Sequence, residues 1–137
     1  MSKVSFHILR VGLAVTFLWI GILIIREPEA WAGYIAPWAA KLLPISPVEA
    51  MQGTAVLDIV IGFLLLIDTW VWLAALVGAL HLITVLAVSG ITDITVRDIA
   101  IFSGAVALLV ERWPKNLLIR QKPARNATHS AAGGEKI

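Results

Sequence analysis

Four apolar runs, each near the length that crosses a bilayer, occupy most of the chain up to Pro114 and leave few ways for it to fold. Hydrocarbon offers no water to an unpaired peptide group, so runs of this kind are satisfied as helices packed side by side. The first, about 4–25, closes at the charged "REPEA". No A-x-A-like cleavage site follows it and three more apolar runs do, so it reads as a retained helix rather than a secretory signal. The second, about 48–67, opens at "SPVE", with Ser46 as N-cap, Pro47 in the first turn and Glu49 reaching back to close a capping box. Asp68 and Thr69 leave room only for a tight turn into the third run, about 70–88, which makes the second and third helices antiparallel neighbours. The fourth, about 96–113, opens at "TVRD", where Thr95 and Asp98 have the spacing of another capping box, and stops before Pro114. Its uninterrupted apolar part, Ile99 to Val110, is short of the roughly 20 residues a span needs, so Arg97, Asp98, Glu111 and Arg112 must snorkel or pair at its ends.

Composition points the same way. With 59% hydrophobic and 15% charged positions in 137 residues, the chain carries more apolar surface than one small water-soluble core could hide. It has no cysteine, which excludes disulfides, thiol redox chemistry and thiolate metal sites within the chain. Any redox role must therefore come from a cofactor or a partner. Eight of the Lys and Arg residues lie toward the two ends, against three, Arg26, Lys41 and Arg97, on the other side of the membrane. The positive-inside rule then sets both termini in the cytoplasm and requires an even number of spans, which four satisfies.

The expected fold is thus all-α: a polytopic membrane protein whose residues 1–115 form a four-transmembrane-helix bundle with an outer loop over 26–47. A basic cytoplasmic tail over 116–137 lacks apolar periodicity and reads as disordered. Topology and anionic lipid explain its charge, so the lipid bilayer is the expected partner and no nucleic acid is needed. In the outer loop Trp31, Tyr34 and Trp38 recur at i, i+3 and i+7, one face of a short interfacial helix that Pro37 would interrupt. Small residues predict where helices meet: Gly12 and Gly21 in the first, Gly53 and Gly62 in the second, Ala74, Ala75, Gly78 and Ala79 in the third, Ser103, Gly104, Ala105 and Ala107 in the fourth.

Inside this scaffold the stretch "VLDIVIGF" sets a carboxylate, Asp58, among residues suited to hydrocarbon. It falls roughly 15 Å below the start of the second helix, and His81 roughly 12 Å below the end of the third, so antiparallel neighbours would bring the two to nearly matching depth. An isolated charge at that depth is costly, and a paired one marks a candidate functional site. Trp19 and Thr84, near the same level, could add an indole N–H and a hydroxyl. Asp58, His81, Trp19 and Thr84 are the candidate quinone or proton site. Arg26, Glu27, Asp93, Arg97 and Asp98 are candidates for an ionic network at the outer ends, and Arg10 with Asp68 for a pair at the inner ends. The chain has no Gly-rich phosphate loop and no His/carboxylate cluster with metal-ligand spacing, and two of its three histidines, His7 and His129, lie at or beyond the membrane edge. No catalytic residue and no metal site is assigned on that basis.

The segments "LRVGLAVTFLWIGIL", "GTAVLDIVIGFLLLID" and "VRDIAIFSGAVALLV" resemble the DoxX-like family of small four-helix bacterial and archaeal membrane proteins, over about residues 8–112. The matching features are Arg10 opening the first helix, Gly21 near its end, Asp58 with Gly62, and Arg97 with Asp98. Many relatives carry a Lys shortly after the first-helix glycine, and this chain has Ile24 near that place. The family takes its name from a subunit associated with thiosulfate:quinone oxidoreduction. The resemblance implies a multi-pass protein of the prokaryotic inner membrane that serves as a non-catalytic small subunit or anchor of a redox system, with a membrane-associated oxidoreductase as partner and a quinone as cofactor. The residues alone leave open a small proton or solute transporter with Asp58 as carrier, and a structural protein whose buried pair sets helix register. They also leave open whether the chain forms a homo-oligomer.

Overall fold

Ser2 begins the first helix, its Oγ accepting the Ser5 backbone N–H at 3.0 Å, and α1 then runs Lys3–Arg26. The computed structural model describes residues 1–114; the domain boundary expected at 115 and the basic tail expected over 116–137 lie outside the described residues. Five further helices follow: α2 Pro28–Ala32, α3 Pro37–Leu42, α4 Pro47–Leu66, α5 Val71–Ser89 and α6 Val96–Arg112. There is no strand among the described residues. Pro28, Pro37 and Pro47 each sit in a first turn, where the missing N–H has no helical partner to lose. At Ser46 the capping box is closed: Glu49 N–H donates to Ser46 Oγ at 3.2 Å, and Ser46 N–H donates to Glu49 Oε2 at 2.9 Å.

Three helices, α1, α4 and α5, are long and apolar enough to cross a membrane, and they give the chain the build of a membrane protein. Helix α6, at 17 residues with charges at both ends, lies against α5 without reaching that mark. Ile8, Val11, Val15 and Ile22 of α1, and Val56, Val60 and Phe63 of α4, form exposed stripes at helical spacing. Such stripes suit hydrocarbon and would be a liability in water.

The tightest seam joins α1 to α4, and it is built from small residues spaced by seven. A Cβ on Gly62 would stand 2.8 Å from the Ala14 carbonyl oxygen, and one on Gly21 would stand 2.8 Å from that of Ala55. Each glycine therefore admits the backbone of the other helix, the close approach on which association in lipid depends. Gly78 admits the Phe17 ring, and Gly104 admits Leu9 and Leu13. Gly12 and Gly53 face open space, so the packing expected of them does not occur. Sequence marks a small residue but not the face it occupies.

The bundle has two unlike ends. At the turn end, α4 passes to α5 through Asp68 and Trp70, both with positive φ, 59° and 46°. Asp adopts this conformation more readily than Trp. Here the buried Arg10 donates to the carbonyls of Leu65 and Leu66, the latter at 2.9 Å, and so caps the C-terminus of α4 from a neighbouring helix. At the cap end, Ala36 N–H donates to Val88 O at 2.9 Å and ties the α2–α3 segment to the last turn of α5. The expected interfacial helix is two short ones, broken before Pro37. The capping box expected at "TVRD" does not form: Thr95 Oγ1 donates to Gly90 O at 2.6 Å and accepts the Thr92 N–H at 2.7 Å instead.

Candidate functional site

Asp58 lies on the face of α4 that also carries Ala55, Ile61, Gly62 and Leu65, all buried, and α5 brings His81 to it. His81 Nε2 stands 3.3 Å from Asp58 Oδ1. The approach is within ion-pair reach but off line, so Asp58 Oδ1 is left without a hydrogen-bond partner. A buried carboxylate in this condition is costly unless something else meets it. The tight α4–α5 turn fixes which helices are antiparallel, and the depth of each residue along its helix does the rest.

The pair faces a chamber of about 60 Å³ in the half of the bundle nearer the cap end. Its walls are mainly apolar: Phe17, Ile20 and Ile24 from α1, Leu82 and Val85 from α5, Ile101 from α6. Polar groups interrupt them at Thr54, Ser89 and Thr95, and Trp31 and Tyr34 contribute from the cap. Arg97 and Asp98 line the same chamber. Asp98 stands in the first turn of α6, yet it shares the chamber with a residue in the middle of α4. The chamber therefore extends from the middle of α4 to the start of α6.

His81 also borders a second space, a side pocket of about 300 Å³ between α3, α4 and α5. Trp38, Leu42 and Thr84 line this pocket and are exposed on the flank of the bundle. Met51, Thr54, Val85 and Ser89 line both spaces. One imidazole thus stands between a small polar-edged chamber and a larger apolar pocket.

The other sequence-derived candidates divide. Thr84 borders the side pocket, although its hydroxyl donates to Leu80 O at 3.0 Å within its own helix. Trp19 is 62% exposed on the outward side of α1 and lines neither space, a correction to its expected place. Helix α1 is apolar all round, so periodicity could not tell its inner face from its outer one. The outer-end ionic network does not assemble among the described residues. Arg26 and Glu27 border a separate surface hollow, Asp93 is exposed, and none of the five residues makes an ion pair with another. Asp98 is buried and lines the chamber. Arg10 Nε lies 3.6 Å from Asp68 Oδ1, at the turn end as the spacing predicts, and Arg112 lies 4.0 Å from the same oxygen.

Sequence reasoning missed Asp98 as a neighbour of Asp58 and His81. Spacing along α6 gives no sign of this, since Asp98 stands with the charged residues of the first turn. Among the described residues no group of His, Cys, Asp or Glu has the arrangement to hold a metal ion. No protein-family model matches the chain, and no curated protein or solved structure matches it either.

Proposed function

We propose that the protein is a multi-pass protein of the DoxX-like type in the prokaryotic inner membrane, with α6 as a fourth span and both termini cytoplasmic. Its role is that of a small subunit or anchor of a membrane-associated redox system, and His81 and Asp58 form its quinone site. One observation carries this reading: His81, held against a buried carboxylate at 3.3 Å, borders an apolar pocket of about 300 Å³ whose rim is on the flank of the bundle. That volume is at the lower end for ligand sites, and apolar walls with one oriented polar group are their usual construction.

A quinone, when bound, supplies two-electron and two-proton chemistry at its ring oxygens. The chain contributes recognition and proton handling. With Nε2 turned to Asp58, the other ring nitrogen of His81 is the group left to meet a carbonyl or hydroxyl oxygen. The Asp58 carboxylate fixes the orientation of the ring, so that the free nitrogen is aimed where it can donate to or accept from a ring oxygen. Trp38 and Leu42 supply the apolar contact, and an isoprenoid tail could leave along the exposed flank into lipid. The electron acceptor or donor belongs to the partner oxidoreductase, since this chain has no cysteine for a thiol or cluster.

The test is mass spectrometry of the protein gently extracted from its own membranes, with co-purifying chains and bound small molecules recorded together. A stoichiometric oxidoreductase or a quinone, lost in Asp58→Asn and His81→Ala, is the expected result. A chain that carries only structural lipid, with both substitutions silent for quinone binding and for growth under redox stress, ends the proposal. A proton or solute carrier is the second reading, favoured by the second buried carboxylate on the chamber, Asp98. Flux in proteoliposomes that vanishes in Asp58→Asn would select it.

A further inference from the structure

Asp98 has the position of a capping residue and does not cap. Thr95 Oγ1 is occupied by Gly90 O and by the Thr92 N–H, so the reciprocal bonds of a capping box are not made. The Asp98 residue is only 8% exposed, and its carboxylate has no hydrogen-bond partner among the described residues, yet it lines the chamber that holds Asp58 and His81. Two carboxylates from different helices thus converge on one space: Asp58, whose Oδ1 is buried without a hydrogen-bond partner, and Asp98, whose side chain makes no hydrogen bond among the described residues. Polar groups in that condition are met by water where the space allows it. About 60 Å³ is room for a few water molecules, and Asp58, His81, Asp98, Thr54 and Ser89 supply polar groups on the lining.

The groups that face this space can be named helix by helix. Helix α1 presents only apolar side chains; α4 presents Asp58, α5 His81, α6 Arg97 and Asp98, and the turn after α2 presents Tyr34. Arg97 and Tyr34 are exposed, so the chamber reaches the surface at the cap end. Asp58 and His81 lie at its depth, with Asp98 on the α6 wall.

We propose that the chamber is hydrated and exchanges protons, with Asp98 carrying them between the Asp58–His81 pair and water at the cap end. In the outward step the Asp98 carboxyl gives its proton to water beside Arg97. The carboxylate then recovers a proton through chamber water from the His81 imidazolium, which becomes neutral. Only O–H and N–H bonds are made and broken, and no electron moves. The arrangement does not depend on a quinone in the side pocket, so either inference can fail alone.

The test uses the full chain in lipid bilayers with ¹⁵N-labelled histidine, read by solid-state NMR. An imidazole always keeps at least one ring N–H, so His81 gives a signal in either ionisation state, and His81→Gln identifies it. In the wild type, magnetisation should pass from water to the His81 ring as it does to surface histidines; a dry His81 overturns the proposal without any Asp98 variant. Asp98→Asn should slow proton exchange at His81 roughly a hundredfold, the low end of what a positioned acid or base contributes, and Asp98→Glu should restore most of it. Unchanged exchange in Asp98→Asn overturns the assignment of Asp98.

Discussion

Arg10 and Asp58 are both charged residues set within apolar helices, 7% and 3% exposed, and they differ in what they face: Arg10 the end of α4, Asp58 a chamber. Around Arg10 the two terminal nitrogens of the guanidinium are engaged, with two carbonyls at the end of α4 and the ring of His7 at 3.4 Å, while Nε stands 3.6 Å from Asp68 without a hydrogen-bond partner. The guanidinium also lies at the negative end of the α4 dipole, where a cation is stabilising. Asp58 has a single off-line neighbour and a chamber. A charge that closes the hydrogen-bond needs of other elements is structural. One left open beside a cavity is available for chemistry, and such groups are drawn disproportionately from functional sites.

This contrast can be broken by substitution. Arg10→Met should have the largest effect, a loss of about 3 kcal/mol, because it leaves buried carbonyls of α4 without donors. Thermal unfolding in detergent reads it, and an unchanged melting temperature would refute the structural role. Ser46→Ala opens the formed capping box and should cost about 1 kcal/mol in the same assay. Asp68→Asn removes a partly exposed ion-pair partner and should cost less than about 1 kcal/mol. The smallest stability changes are expected where the chemistry is assigned. Asp58→Asn and Asp98→Asn should each stay within about 0.5 kcal/mol of the wild type, or gain slightly, since each replaces an under-partnered charge with a neutral isostere. A large loss in either would move Asp58 or Asp98 to the side of Arg10.

The parts legible in the sequence were those that depend on one helix or one turn. The helix limits, the box at Ser46 and Glu49, and the tight α4–α5 turn all follow from local signals, and the turn brings Asp58 to His81. The facing of Trp19 was illegible because an apolar residue on a lipid-facing helix and one in its core obey the same composition. The two box-like sequences show the same limit: "SPVE" closes, while in "TVRD" the Thr95 hydroxyl is drawn to Gly90 O, a tertiary choice that spacing does not encode. Arg10 was expected to meet Asp68, but its stronger engagement with the carbonyls of α4 depends on the α1–α4 seam at Gly21 and Gly62.

The central claim is that His81, oriented by Asp58, binds a ligand from the side pocket. Titration of a short-chain quinone into the protein in nanodiscs, followed by tryptophan fluorescence, tests it most directly, because Trp38 lines that pocket. Saturable quenching in the wild type is expected, with affinity lowered about tenfold or more in His81→Ala, as the loss of a charge-assisted hydrogen bond implies. Non-saturable quenching, or identical curves for the wild type and His81→Ala, would contradict it.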